Sequence, residues 1–254
     1  MLYIYYSPLE QFTTIQVLSS FLSILDISNI FITFTVIISI LIFSIYLNLS
    51  SNFKTLYLIP SLIQNFLEKL LITTFSVVEE NIQADEKKKF LPLVTTIFIF
   101  FLFLNLFGTM PYTFTITSQI FVTFTISAFI FIGIQIINIR HNKFKFFSSF
   151  FPSGVSVLLS FLIVPIEFIS FFFKPISLGI RLFANMMAGH TLLKICASFV
   201  WFVMGFGGLV SFSHILALFG LIILLFLEVG VAAIQAFVFT VLICTYLNDV
   251  FNLH

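Results

Sequence analysis

The residues best suited to chemistry are a few ionisable side chains in the most apolar part of the chain. They fall within the last hundred residues and are Glu167, Lys174, Arg181, His190, Lys194, Glu228 and Asp249, with the amides Asn185 and Gln235 beside them. A charge at the centre of a membrane costs about 2.5 to 3.5 kcal/mol on insertion scales. Such residues are tolerated where they face a partner or a water-filled path, so they predict a route for an ion or a proton. For Lys174 and Lys194, snorkelling to the membrane surface is at least an equally good interpretation.

The spacing of these residues places them on defined helix faces, because each helical residue turns the chain by about 100°. Four of them, at offsets of 7, 14 and 18 positions, share one face: Glu167, Lys174, Arg181 and Asn185. Three more, at offsets of 7 and 21, form a stripe on another helix: Glu228, Gln235 and Asp249. His190 follows Arg181 by nine positions and therefore points to the opposite side of its helix.

These groups differ in the chemistry that they can perform. Arg181 keeps its proton in proteins, so it can act as a fixed positive charge but cannot relay a proton. The groups that can titrate are Glu167, His190, Glu228 and Asp249. Histidine exchanges protons near neutral pH, and with a carboxylate on the adjoining helix we favour a proton relay over a core histidine. We interpret His214 and His254 as incidental.

The composition excludes several classes of protein. Of 254 residues, 60% are hydrophobic and only 8% are charged, whereas about a quarter of an average soluble domain is charged. The net charge of +1 offers no basic surface for nucleic acid. Cys196 and Cys244 lie apart in apolar runs, so we expect no disulfide framework, no metal site and no cofactor. A soluble enzyme is excluded.

The charge-free stretches indicate membrane spans, since a spanning helix needs about 20 mostly apolar residues. A first span is predicted at residues 27–49, a helical hairpin at 90–139, and a long hairpin carrying the ionisable residues at 155–251. Over 61–83 the apolar residues recur at helical spacing, which indicates an amphipathic helix in the membrane interface. We therefore predict an all-α polytopic membrane protein, one domain over 1–254, with about five membrane-embedded helices plus one amphipathic helix.

The breaks between the spans follow from local chemistry. Gly108 and Pro111 interrupt the apolar run 90–139. The polar run 79–89 is typical of a solvated loop. Each half of the last hairpin exceeds 40 residues, or about 60 Å as one helix, against a hydrocarbon core of about 30 Å. Each half is therefore two helices or one strongly tilted helix; we favour the tilted hairpin, with its turn at 205–208.

The distribution of Lys and Arg predicts the orientation in the membrane. Basic residues cluster at 54–89 and 140–145, and these loops should face the cytoplasm or its equivalent. An N-terminus outside, five crossings and a C-terminus inside satisfy this pattern. The first residues lack the marks of a signal or transit peptide, so we expect no cleavage there.

Three segments resemble subunit a of F-type ATP synthases. They are residues 175–190 (PISLGIRLFANMMAGH), 228–237 (EVGVAAIQAF) and 246–254 (YLNDVFNLH). The resemblance implies that Arg181 is the family's essential arginine, which faces the rotating ring of c subunits and meets their proton-carrying carboxylates. It implies that Asn185 and Gln235 are polar neighbours of that arginine, and that the chain has no catalytic site of its own.

The resemblance also implies two half-channels. His190 and Glu228 match the pair that lines the half-channel open to the intermembrane space, and Glu167 and Asp249 match acidic residues of the half-channel open to the matrix. The order of histidine before acid is mitochondrial-like, so we expect a multi-pass protein of the mitochondrial inner membrane, with a bacterial plasma membrane as the alternative. The expected partners are the c-ring, the peripheral stalk, other membrane-sector subunits and lipid.

Two alternatives remain at this level. A secondary transporter or channel acting alone would show internal repeats or paired broken helices, and the sequence has no such repeat. A purely structural anchor in a respiratory complex leaves the opposed placement of Arg181 and His190 without a reason. The choice between protons and sodium stays open, because the ring carries most of that selectivity.

Overall fold

The computed structural model describes residues 8–13, 16–18, 27–28, 35, 38–39, 62–82, 87–110, 114–143, 157–204 and 211–251. Five long α-helices lie within this part of the chain: α1 (Leu62–Asn81), α2 (Lys87–Gly108), α3 (Ile120–Asn142), α4 (Val157–Met204) and α5 (Ser211–Phe251). Short 3-10 helices occupy Pro8–Phe12 and Ile116–Ser118. The prediction of an all-α polytopic chain is confirmed in its main elements.

One small feature departs from the prediction. Strand β1 (Gln16–Leu18) pairs antiparallel with β2 (Ile27–Ser28), so the first two residues of the predicted span 27–49 are extended rather than helical. Their backbone groups are satisfied by a neighbouring strand, which an apolar run alone does not reveal. Residues 35, 38 and 39 are helical, and the rest of that predicted span lies outside the described residues.

Four helical stretches in the described part are long and apolar enough to cross a membrane: Lys89–Gly108, Ile120–Asn142, Ser160–Met204 and Ile215–Phe251. The chain is a multi-pass membrane protein. The predicted hairpin at 90–139 corresponds to α2 and α3, and its break falls at Gly108 as expected. The amides of Thr109 and Met110 close the end of α2 by bonding back to Asn105 and Phe107 carbonyls.

Helix α1 matches the predicted amphipathic segment 61–83. It buries Thr74, Val77 and Val78 at helical spacing. On the outside it exposes large apolar residues, Phe66, Leu71, Ile72 and Phe75, next to the exposed charges Glu68, Lys69, Glu79 and Glu80. This mixture suits the predicted position in a membrane interface, where apolar and charged groups both find a suitable environment.

Helices α4 and α5 are each continuous, which resolves the alternative of two helices per half. Helix α4 has 48 residues, about 72 Å, and α5 has 41 residues, about 62 Å. Pro165 and Pro175 lie inside α4 without ending it. The carbonyl of Pro175 accepts a hydrogen bond of 3.0 Å from the Ser127 hydroxyl on α3, which ties the two helices together at this point. The tilt of this hairpin stays a prediction, and its turn at 205–208 lies outside the described residues.

The contacts within the chain define two compact units. The first comprises Met1–Leu62, Phe101–Gln119 and Ala184–Gln235, and the second comprises Ile63–Phe100, Ile120–Phe183 and Ala236–His254. In the second unit α4 passes close to α3, because a Cβ on Gly179 would lie 2.8 Å from the Ser127 Oγ and 3.0 Å from the Phe124 Cα. Small residues at such contacts let membrane helices pack backbone to backbone.

Candidate functional site

The first unit holds a buried pair of ionisable side chains. The Nε2 of His190 on α4 lies 3.6 Å from the Oε1 of Glu228 on α5, and the two side chains are only 15% and 6% exposed. Within the described residues, the His190 Nε2 and both carboxylate oxygens of Glu228 are buried without a hydrogen-bond partner. Because buried polar groups in proteins are nearly always partnered, these three atoms mark a place for water or for an exchangeable proton.

The surroundings of this pair explain how two helices bring it together. Gly189 has no side chain, and a Cβ there would lie 2.8 Å from the Oε1 of Glu228, so this glycine makes room for the carboxylate. The backbone of Gly108, at the end of α2, hydrogen-bonds the imidazole of His190. One turn beyond Glu228, the carbonyl of Ala232 accepts a bond of 3.3 Å from the fully buried Asn105 amide. Three helices therefore fix the pair.

A second polar contact in the same unit joins two predicted residues. The Nδ2 of Asn185 on α4 donates to the Oε1 of Gln235 on α5 over 2.7 Å. Gln235 is buried and Asn185 is exposed, so the pair links the interior of the unit to its surface. Sequence spacing places each amide on a polar stripe, and the structure adds that the two stripes meet here.

The second unit holds a different cluster. The Nζ of Lys174 lies 3.4 Å from the Oδ2 of Asp249 and 5.1 Å from the centre of the Tyr246 ring. The side chains of Lys174 and Asp249 are 37% and 63% exposed. Arg181, also in this unit and half-buried, interacts electrostatically with the Tyr246 hydroxyl. The cluster places the Lys174 ammonium group beside the exposed carboxylate of Asp249, with Arg181 near the Tyr246 hydroxyl.

The two carboxylates expected in the matrix-side half-channel, Glu167 and Asp249, have different contacts in the structure. Glu167 lies on an exposed turn of α4, where its backbone carbonyl accepts a bond from Ser170. Asp249 pairs with Lys174 instead. Among the described residues, no group of three or more His, Cys, Asp or Glu side chains is arranged to hold a metal ion.

Sequence reasoning named Lys174 without deciding its role, and it did not single out Tyr246, Gly189 or Asn105. Lys174 shares the polar face of Glu167 and Arg181, which is the signal for its involvement, yet snorkelling is an equally good interpretation from sequence alone. Tyr246 lies three residues before Asp249, on one side of the same helix. Gly189 directly precedes His190, but its closeness to the Glu228 carboxylate depends on the packing of α4 against α5. The bond from Asn105 to the Ala232 carbonyl likewise joins distant parts of the chain.

Long apolar helices with ionisable pairs inside them define a class, the multi-pass helical membrane proteins that bind or conduct an ion or a proton. Comparisons with known proteins narrow that class. Residues 30–248 match the family described as ATP synthase A chain. The chain is 44% identical over 250 residues to ATP synthase subunit a from Pylaiella littoralis, covering 98% of this chain and 99% of that protein.

Two further relatives give the same result. ATP synthase subunit a from Marchantia polymorpha is 41% identical over 255 residues, covering 98% of this chain and 99% of that protein. The subunit a of Acanthamoeba castellanii is 41% identical over 251 residues, covering 97% and 98%. The chain belongs to the ATP synthase A chain family, and the resemblance seen in residues 175–190 is confirmed.

Proposed function

We propose that this chain is the proton-translocating stator subunit of a rotary ATP synthase in the mitochondrial inner membrane. It performs no catalysis itself and provides two half-channels to a ring of c subunits. The observation that carries the proposal is the buried His190–Glu228 pair. Three of its polar atoms have no hydrogen-bond partner in the part of the chain that the structure describes, and both groups can gain and lose a proton.

The pair has the geometry of a proton-transfer station. Proton transfer between two groups needs a heavy-atom distance of about 2.6 to 3.2 Å, or one bridging water. At 3.6 Å, His190 and Glu228 stand just beyond direct contact, so a small ring rotation or one water completes the connection. In the proposed cycle a proton from the intermembrane space passes through this pair and neutralises a carboxylate on the ring.

Release takes place on the matrix side. The neutralised ring carboxylate turns through the lipid, reaches the second half-channel and gives up its proton there. Asp249, at 63% exposure, is the water-accessible acceptor in this half of the proposal, and Glu167 provides a second exposed carboxylate on α4. Water around both groups carries the proton away to the matrix.

Arg181 separates the two half-channels. A guanidinium group stays charged in proteins, so it favours the ionised form of a passing ring carboxylate and blocks a proton from crossing directly. The resemblance makes Asn185 and Gln235 polar neighbours of this arginine, and Asn185 follows it by one helical turn along α4. Each charge that crosses a potential of 100 mV yields about 2.3 kcal/mol, which a direct leak would waste.

Replacing Arg181 by Ala in the assembled complex tests this proposal. We expect ATP-driven proton pumping to disappear while the amount of assembled complex is unchanged, as measured by dye quenching in inverted vesicles and by native gel. Retained pumping would contradict the proposal. Purified chain in liposomes tests the alternative of a transporter acting alone: substrate uptake without a c-ring would favour it.

A further inference from the structure

We propose that the N-terminal cap, residues 8–13, holds the His190 ring in the orientation that proton transfer to Glu228 requires, with Phe12 as the positioning residue. This inference rests on the proposed function, since it assigns to the cap an effect on the proton path. It concerns a part of the chain far in sequence from the ionisable residues. The inference concerns the contact between this cap and the imidazole ring of His190.

The cap is fixed to the first unit by one short hydrogen bond. Its residues Pro8–Phe12 form a 3-10 helix, and the Nε2 of Gln119 donates to the Phe12 carbonyl over 2.6 Å. This bond spans 107 positions of sequence, so it is a tertiary contact rather than a local turn. It holds the backbone of the cap at the residue whose ring faces the imidazole.

The anchor that carries Gln119 is itself rigid. Gln119 directly follows the 3-10 helix Ile116–Ser118, whose three residues are all buried. Within it the Thr115 hydroxyl donates to the Ser118 Oγ, and the Ser118 hydroxyl donates to the Thr115 carbonyl, each over 2.6 Å. A glutamine held by such a turn has little freedom, which gives the cap a defined position.

Phe12 contacts His190 directly. The two ring centres are 6.3 Å apart with an angle of 71° between the planes, an edge-to-face arrangement. Aromatic rings prefer this geometry because the positive edge of one meets the negative face of the other. The half-buried Phe12 therefore restricts how the imidazole turns about its χ2 angle.

This restriction matters because of the distance to Glu228. The gap of 3.6 Å between the His190 Nε2 and the Glu228 Oε1 closes or opens with rotation of the imidazole ring. With Gly108 bonded to the ring and Phe12 against it, rotation is confined to a narrow range. Without Phe12 the ring samples orientations that point Nε2 away from the carboxylate, and transfer slows.

The test uses the assembled ATP synthase in liposomes and measures passive proton flux through its membrane sector. For Phe12→Ala we expect a flux reduced roughly two- to tenfold, the size that one aromatic contact supports. Phe12→Tyr, which keeps the ring, should restore the flux. Gln119→Ala releases the cap without touching the ring and should lower the flux in the same direction. Gln11→Ala, an exposed neighbour in the cap, serves as the matched control and should leave the flux unchanged.

A second readout separates positioning from a general structural effect. The rate at which diethylpyrocarbonate modifies His190 in the intact complex, measured by mass spectrometry, should rise in Phe12→Ala and Gln119→Ala and stay at the parent value in Gln11→Ala. Normal flux in Phe12→Ala would overturn the inference. Reduced flux with an unchanged modification rate of His190 would overturn it too, because the ring would then be held without the cap.

His190→Ala, measured in parallel, distinguishes a failure of the proposed function from a failure of the inference about the cap. Full flux in His190→Ala would contradict the proposed function, and the inference about the cap would fall with it. Lost flux in His190→Ala together with normal flux in Phe12→Ala would overturn the cap alone. Native gels give the amount of assembled complex, and every flux is divided by that amount, so a variant that assembles poorly is still compared per complex. Gln119→Ala tests the cap independently of Phe12→Ala.

Discussion

The two polar clusters of this chain have similar distances and opposite surroundings. The ionisable atoms of His190 and Glu228 are 3.6 Å apart with side chains 15% and 6% exposed, whereas those of Lys174 and Asp249 are 3.4 Å apart with side chains 37% and 63% exposed. Distance alone therefore does not define a proton site. Burial decides how much a change in charge costs, and that cost is high in the first cluster and low in the second.

Because the two clusters differ in burial, the proposed function gives them different tasks. In the first cluster, ionising the buried Glu228 carboxylate without a partner costs free energy. The protonation of the pair therefore depends strongly on which groups lie beside it. In the second, the Lys174 Nζ lies 3.4 Å from the Oδ2 of Asp249, and both side chains are exposed. Under the proposed function, the first cluster is where the proton transfer is controlled and the second is where protons are released to the matrix.

The largest expected effect comes from removing the buried acid. Glu228→Gln keeps the shape of the side chain but cannot carry a proton, so we expect passive proton flux to fall by about a hundredfold or more, the scale of general acid–base contributions. Asp249→Asn is the same change in the exposed cluster and should reduce the flux less, because water can take over part of its role. Equal losses in the two variants would remove the distinction between the clusters.

A smaller effect is expected when the buried carboxylate is displaced rather than removed. In Gly189→Ala the new Cβ would lie 2.8 Å from the Oε1 of Glu228 and must push the carboxylate aside. We expect proton flux to fall about tenfold, the change that about 1.4 kcal/mol produces. Gly230→Ala is the matched control, because no atom of the described residues lies within 4 Å of a Cβ there. Similar fluxes in the two variants would mean that the position of the Glu228 carboxylate does not limit transfer.

The smallest effect belongs to the exposed ion pair. Lys174→Met removes the charge and keeps most of the length of the side chain, and exposed pairs contribute about 0 to 1 kcal/mol to stability. We expect the complex to survive heating as the parent does, with proton flux reduced less than fivefold, because a loss of up to 1 kcal/mol changes a rate by about that factor. Lys174→Arg should retain the parent flux. A complete loss of flux in Lys174→Met would show that Lys174 is as important as the buried pair.

The sequence predicted helices and helix ends well where residues a few positions apart determine them. The amphipathic helix predicted at 61–83 is α1, and the break expected at Gly108 is the end of α2. Helical periodicity and the helix-stopping residues near Gly108 act over a few positions, so they are visible in the sequence. The extended pairing of Ile27 and Ser28 was not visible, because its partner strand is supplied by another segment.

For the site residues too, local features were predictable from the sequence and contacts between distant residues were not. Arg181, His190 and Glu228 stand out in sequence because ionisable groups are rare in apolar helices. The pairing of Lys174 with Asp249 joins residues 75 positions apart, and the bond from the Ser127 hydroxyl to the Pro175 carbonyl joins residues 48 positions apart. Such contacts depend on how helices pack, so the spacing of residues along one helix does not predict them.

Passive proton flux in two variants of the assembled complex tests the central claim most directly, that Arg181 separates a path through Glu228 from a second path. In Arg181→Ala we expect protons to leak through the membrane sector without rotation of the ring, even with rotation blocked by a bound inhibitor of the catalytic head. Adding Glu228→Gln to Arg181→Ala should abolish that leak, because the path to the ring begins at the buried pair. A leak that persists in the double variant, or no leak in Arg181→Ala, would contradict the account.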